Sequence, residues 1–261
     1  MPNKKSDLLA IDIGNTNIAF GFFQNGYLKE HWRLSTDLKR MQDEYGLQFL
    51  GLLDNKGVST DDFSGIVLSS VVPSLTEKVV QACENYLGYL PIIVHSDLKL
   101  NVKINYDDPS AVGADRIADA VAASTLFSCP ACVIDFGTAT TFNAINKKSE
   151  YLGGAILPGI GLSAEALFER TAKLPSIELS APPSVIGTNT RHAMQSGLIY
   201  GYVALVEGMV ERFKKILGEK TIVIATGGHV RLIGGHTNKI NHIEPWLTLE
   251  GLRIIWELNR E

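Results

Sequence analysis

Asp12 stands one residue from the end of a short apolar run, Leu8 to Ile13, and a small polar corner, Gly14-Asn15-Thr16-Asn17, comes directly after it. A carboxylate beside a glycine and three small polar side chains lets backbone N–H groups and hydroxyls approach an anion. The same corner would also serve as a plain hairpin turn whose aspartate bonds its own backbone. A second stretch weighs against that plain reading. Val133-Ile134-Asp135-Phe136-Gly137-Thr138-Ala139 repeats Ala10-Ile11-Asp12-Ile13-Gly14-Asn15-Thr16 at an offset of 123 residues, with Ile, Asp and Gly coinciding. Two strand-end carboxylates, each leading into a small polar turn, suit an anion held together with a cation. A Mg²⁺-bound polyphosphate fits best, because Mg²⁺ usually binds through one or two carboxylates plus phosphate oxygens.

The third stretch with chemistry in it is Tyr106-Asp107-Asp108-Pro109 through Gly113-Ala114-Asp115-Arg116. Pro109 disfavours helix at Asp108, and the alanine-rich run from Ile117 to Phe127 reads as helix, so Gly113 to Arg116 fall at a loop-to-helix junction. Asp115 there is either a first-turn acid complementing the helix dipole or, with Arg116, a base and an anion clamp. Spacing leaves both open. Asp119, one turn on, reads equally as surface charge. Asn189-Thr190-Arg191 precedes a long helical pattern, with Thr190 the simplest N-cap. Thr226-Gly227-Gly228 lies just past a strand and offers backbone without side chains to a flat ligand. The six histidines show no ligand spacing, and His229 beside the glycines reads as structural.

These residues need a frame to hold them. Strand, turn and strand are expected over Leu8 to Phe23, with a third strand from Tyr27 to Arg33. A helix over Met41 to Leu53 should bury Leu47, Leu50 and Leu53. The β-branched run from Gly65 to Val72 is next, then a helix through Tyr86 and a short strand from Ile92 to His95. The second copy brings the same order: strands over Thr140 to Ile145 and Tyr151 to Leu157, helices including Thr190 to about Leu217, and a strand over Ile222 to Ala225. A repeat that carries its strand order with it is best explained by duplication. The expected architecture is two similar α/β domains facing each other, residues 1–118 and 119–261.

Other chemistries are disfavoured. There is no G-x-x-x-x-G-K-[ST], so P-loop chemistry is not expected. Gly159-Ile160-Gly161-Leu162-Ser163-Ala164 matches a dinucleotide fingerprint, but its helix should end near Lys173. Pro175, Pro182 and Pro183 then interrupt the chain where a parallel strand is required. Cys129-Pro130-Ala131-Cys132 has C-x-x-C spacing without a second pair or a histidine cluster, so Cys132 reads as a buried strand residue. A net charge of −4 and a pI near 5.9 give no basic stripe, and no nucleic-acid or anionic-membrane partner is expected. Asp7 and Asp12 come soon after Lys4 and Lys5, before an apolar run reaches signal-peptide length, so a cytoplasmic protein without membrane spans is expected.

Taken together in chain order, Asp12 to Asn17, Gly113 to Arg116, Asp135 to Thr140, Pro158-Gly159, Asn189-Thr190, Ala193 to Gly197, Thr226-Gly227-Gly228 and Leu247 to Leu252 resemble type III pantothenate kinase. The resemblance spans nearly the whole chain. It implies two duplicated ribonuclease H-like domains in the actin, hexokinase and Hsp70-like fold, with an ATP cleft between them. It also implies ATP-dependent phosphorylation of pantothenate to 4′-phosphopantothenate, the first step of coenzyme A biosynthesis. Carried over by motif, Asp12, Ile13, Gly14, Asn15, Thr16, Asn17, Ile18 and Ala19 would hold the ATP phosphates, with Mg²⁺ reached by Asp12 through phosphate or water. Thr138 and Gly227 would also meet ATP. Asp115 would be the general base, and Tyr106, Gly113, Ala114, Asp115, Arg116 and Thr190 would bind pantothenate. Asp135 would ligate a monovalent cation, K⁺ or NH₄⁺. The resemblance further implies a homodimer whose pantothenate site is shared across the interface. The rival readings are a superfamily kinase for a sugar or small acid, a non-catalytic regulatory protein on this scaffold, and an ATPase-driven chaperone.

Overall fold

The structure, a computed structural model, describes residues 7–260, so Lys4 and Lys5 lie outside the described residues. The elements run β1 (Leu8–Ile13), β2 (Asn17–Gln24), β3 (Tyr27–Ser35), α1 (Gln42–Asp54), β4 (Ile66–Ser70), α2 (Pro73–Ala82) and β5 (Ile92–Ile93). After these come β6 (Lys103–Ile104), α3 (Ala114–Leu126), β7 (Ala131–Phe136), β8 (Ala139–Ile145) and β9 (Glu150–Pro158). The chain continues through α4 (Ile160–Glu169), α5 (Thr190–Leu217), β10 (Ile222–Thr226), α6 (Val230–Gly234), β11 (His242–Ile243) and α7 (Leu247–Asn259). Two compact units form. The first takes the chain up to Asn101, then Asp107–Ala122, and then the C-terminal segment from Leu247 that contains α7; the second takes Val102–Tyr106 and Ala123–Trp246.

The first unit's sheet has the order β3-β2-β1-β4-β5, and the second unit's has β11-β10-β7-β8-β9-β6. Read outward from β1 and β7 the two orders are copies, with β6 added at one edge of the second. Polarity is copied as well: β1 and β7 each pair antiparallel with the next strand in the chain and parallel with β4 or β10. In both six-residue strands the aspartate is the fifth residue, and the burial pattern along the two strands is the same. The repeat seen in the sequence is therefore a repeat of strand register, since alternation along a strand leaves the aspartate as the one partly exposed residue at the end of an apolar run.

In the first unit the core forms where β1, β2 and β4 meet α1 and α2. Phe20 and Phe49 meet edge to face with centroids 4.7 Å apart, and Tyr45, Phe63 and Leu75 fill in around them. Here the expected helix face is corrected. The buried residues of α1 are Tyr45, Gly46, Phe49 and Leu53, while Leu47 is 63% exposed, because the bulkier aromatics claim the core side. The second core lies under the long helix, where Leu198, Ile199, Val206 and Val210 cover Ile134, Phe136 and Phe142. Cys132 is a buried strand residue as expected. The element after β9 and α4 is α5 and no parallel strand, so the dinucleotide fingerprint lacks its second half. Among the described residues no helix is long and apolar enough to cross a membrane.

Candidate active site

In the first unit the polar corner is a tight turn. The Gly14 N–H donates to the Asn17 carbonyl at 2.9 Å, and Thr36, just beyond β3, fastens it from outside by donating its N–H to the Thr16 carbonyl (2.9 Å) and its hydroxyl to the Gly14 carbonyl (2.6 Å). Asn15, Thr16 and Asn17 are exposed, where a ligand can meet them, whereas Ile13 and Ile18 are fully buried in the core. The two isoleucines therefore offer a ligand only their backbone.

Asp12 is recessed at the end of β1. The hydroxyl of Ser69, its register partner on the parallel strand β4, donates to Asp12 Oδ1 in a short hydrogen bond. Burial, with the negative charge of Asp115 adding to it, pushes the Asp12 carboxyl up to about 7, and the Ser69 hydroxyl works in the opposite direction. Asp115 enters at the first turn of α3. Its Oδ1 accepts the Arg116 backbone N–H at 2.8 Å. Burial raises its pKa above the ordinary carboxylate range, while that N–H and the Arg116 guanidinium hold it back. Gly113 is half-buried, and Ala114 and Arg116 are buried. Asp115 thus bonds the N-terminus of its own helix, and its negative charge is felt at Asp12.

Asp119 is corrected. It is 1% exposed and accepts the Thr248 hydroxyl of α7 at 2.8 Å, so it ties the C-terminal helix to the helix that carries Asp115 and is no surface charge. The link joins residues 129 apart, which no local pattern reports.

In the second unit Asp135 has Thr226 as its register partner on β10, in the place Ser69 takes beside Asp12. The loop after β7 is shorter, with Thr138 exposed at its tip. Gly227 lies directly against Asp135: its φ is +94°, and a Cβ there would collide with the carboxylate and with the Phe136 backbone. Tyr106, at the end of the segment carrying β6, is 40% exposed. Thr190 is exposed and is the first residue of α5, not its cap. The cap is Asn189, whose side chain accepts the His192 N–H at 2.9 Å, because extended backbone at Asn189 aims its carboxamide at the open turn. Thr190 lines a groove of about 640 Å³ with Leu167, Leu174, Asn189, Ala193 and Met194.

A cation fits this donor set. Asp12 meets the Ser69 hydroxyl and feels the charge of Asp115, and positive charge beside it would favour the ionised form of its raised carboxyl. Among the described residues no group of three or more His, Cys, Asp or Glu is placed to hold a metal ion. Ser69 and Thr36 carry no signal of their own in the sequence, and Thr226 is visible there only as part of the Thr226-Gly227-Gly228 motif. The β-branched run containing Ser69 is visible there as a strand, but its pairing with Asp12 depends on register 57 residues away.

Residues 8–212 match the family described as Type III pantothenate kinase. A type III pantothenate kinase of Moorella thermoacetica is 49% identical over 252 residues, covering 97% of this chain and 99% of that one. Among solved structures, a conserved putative Baf family transcriptional activator from Campylobacter jejuni has a TM-score of 0.57 at 21% identity, covering 95% and 96% of the two chains. Component A of (R)-2-hydroxyglutaryl-CoA dehydratase from Acidaminococcus fermentans has a TM-score of 0.57 at 14% identity, with 95% of each chain covered. An inorganic polyphosphate/ATP-glucomannokinase from Arthrobacter has a TM-score of 0.51 at 14% identity, covering 95% and 97%. These likenesses place the two copied sheets in the actin, hexokinase and Hsp70-like ATPase fold, built from duplicated ribonuclease H-like domains. With family and relative agreeing over nearly its full length, the chain belongs to the type III pantothenate kinase family, whose members transfer phosphate from ATP to pantothenate.

Proposed function

We propose that Asp115 is the general base of this reaction, taking the proton of the pantothenate hydroxyl as that oxygen attacks the γ-phosphorus of ATP and the bond to ADP breaks. The observation that carries the reading is a raised, recessed carboxylate at the first turn of α3, oriented by the Arg116 N–H and close in charge to Asp12. A primary alcohol is a poor nucleophile, and a positioned base contributes about 10² to 10⁴ in rate. In-line positioning and charge neutralisation on the γ-phosphoryl supply the remainder. Asp115→Asn is expected to keep its fold and its ATP affinity by calorimetry while turnover falls about 10²-fold or more. Wild-type turnover in that variant would remove Asp115 from the role.

The other assignments keep to the same pattern. Asn15, Thr16 and Asn17, with the backbone from Asp12 to Ala19, bind the ATP phosphates, and Asp12 meets Mg²⁺ through phosphate or water. Bound Mg²⁺ supplies charge neutralisation on the phosphoryl oxygens. Thr138 and the backbone at Gly227 bind nucleotide. Asp135 holds the monovalent cation, K⁺ or NH₄⁺, which supplies fixed positive charge there. Tyr106, Gly113, Ala114 and Arg116 bind pantothenate, Arg116 through its guanidinium toward the substrate carboxylate. The exposure of Thr190 beside an apolar groove supports a homodimer in which it reaches the neighbour's substrate. Mixing inactive Asp115→Asn and Thr190→Ala chains should then restore activity in mixed dimers; a mixture no more active than its parts would count against a shared site. ATP as cosubstrate and free Cys83, Cys129 and Cys132 fit a cytoplasmic enzyme.

A further inference from the structure

Tyr106 ends a segment that holds to the sheet by few bonds. β6 runs parallel to β9 over two residues, and the Lys103 and Asn105 N–H groups donate to the Ser149 and Tyr151 carbonyls at 3.1 and 2.9 Å. What positions the ring is on β9 itself. The Tyr106 ring lies 6.3 Å, centroid to centroid, from the ring of Tyr151. Tyr151 is fully buried and anchored by its hydroxyl to Asn143 Oδ1 at 3.2 Å. Two residues on, Gly153 leaves bare backbone under Tyr106. A Cβ there would sit 3.0 Å from Cε2 and 3.3 Å from Cδ2 of the Tyr106 ring.

Gly153 has φ of +104°, a conformation side-chain-bearing residues rarely adopt. The β8–β9 register shifts at the same place, Ala144 pairing with Gly153 and Ile145 with Tyr151, so Leu152 is the extra residue of a bulge. Bulges re-aim side chains beside functional sites. Here the bulge brings Tyr151 and Gly153 together as an aromatic wall and an open floor, with Tyr106 seated on both and still 40% exposed to a ligand.

We propose that Gly153 is a positioning residue for pantothenate: with Tyr151 it forms the seat that fixes the Tyr106 ring in its substrate-binding orientation. This rests on the reading of Tyr106 as a pantothenate residue. The test is a double-mutant cycle on KM for pantothenate, with KM for ATP and the melting temperature measured alongside, in wild type, Gly153→Ala, Tyr106→Ala and the double variant. Gly153→Ala is expected to raise KM for pantothenate about tenfold with KM for ATP changed less than about twofold, and to add nothing in the Tyr106→Ala background. Gly153→Asn, whose side chain best tolerates positive φ, adds the same Cβ and takes the place of the alanine variant if that one does not fold. If Tyr106→Ala leaves KM for pantothenate unchanged, the reading of Tyr106 fails and the seat with it. If Tyr106→Ala raises KM but the Gly153 change has no effect, or the same effect in both backgrounds, Tyr106 keeps its role and the seat is overturned.

Discussion

The ends of β1 and β7 carry one design put to two uses. Each places an aspartate fifth in a six-residue strand, with a hydroxyl residue in register on the neighbouring parallel strand, Ser69 in one and Thr226 in the other. Around Asp12 the structure adds a second carboxylate, Asp115, and an open corner of exposed polar residues. Around Asp135 it adds the backbone of Gly227, pressed against the carboxylate, and a shorter loop. Identical strand geometry thus leaves charge to decide the chemistry. Under the roles proposed above, the paired carboxylates of Asp12 and Asp115 go with a divalent ion and polyphosphate, and Asp135, with Gly227 backbone against it, goes with a singly charged ion.

The largest expected effect separates the members of the first group. Asp115→Asn should lose about 10² or more in turnover with nucleotide binding intact, whereas Asp12→Asn should weaken binding of Mg²⁺-ATP, read by calorimetry. Next comes pH. The Asp12 carboxyl sits near 7 in the folded chain and near 4 unfolded, so the folded state holds the proton more tightly. That contribution to stability is complete below about pH 4 and is lost as pH rises through about 7. Asp115, also raised, acts in the same direction. Without Mg²⁺ and nucleotide, the wild-type melting temperature should fall from pH 5 to 8 by a few °C relative to Asp12→Asn. Parallel curves for the two proteins would show that Asp12 carries no raised carboxyl.

A smaller effect belongs to Ser69, whose hydroxyl steadies the ionised Asp12. Ser69→Ala should weaken Mg²⁺-ATP binding by up to about tenfold at pH 6.5 and recover most of it at pH 8.5. A loss equal at both pH values would mean that Ser69 serves only packing. The smallest concerns the frame: Asn189→Ala should cost about 1 kcal/mol through the lost cap of α5, seen as a melting shift with KM for ATP unchanged.

Much of this frame was legible because it is written locally. The apolar runs before Asp12 and Asp135 and the strands after them gave the copied sheet order, and the pattern from Thr190 to Leu217 gave the long helix with its ends. The corrections arise where position depends on distant partners. Leu47 has helical spacing, but Phe49 meets Phe20 and turns the other side inward. Asp119 looks solvated until α7 returns from the far end of the chain with Thr248. Ser69, and the pairing of Thr226 with Asp135, acquire meaning only through register, and Gly153 only through the ring above it. Thr190 is the simplest cap by composition, but the turn geometry gives that place to Asn189.

The most direct test of the division between the two strand ends is a crossed titration of pantothenate phosphorylation in wild type, Asp12→Asn and Asp135→Asn. The rate is measured as Mg²⁺ is varied at fixed K⁺, and as K⁺ is replaced by Na⁺ at fixed Mg²⁺. Asp12→Asn is expected to need far more Mg²⁺ while keeping its preference for K⁺ over Na⁺, and Asp135→Asn to keep its Mg²⁺ response while becoming indifferent to the monovalent ion. Two variants with the same altered response to both ions would contradict separate roles for the two aspartates.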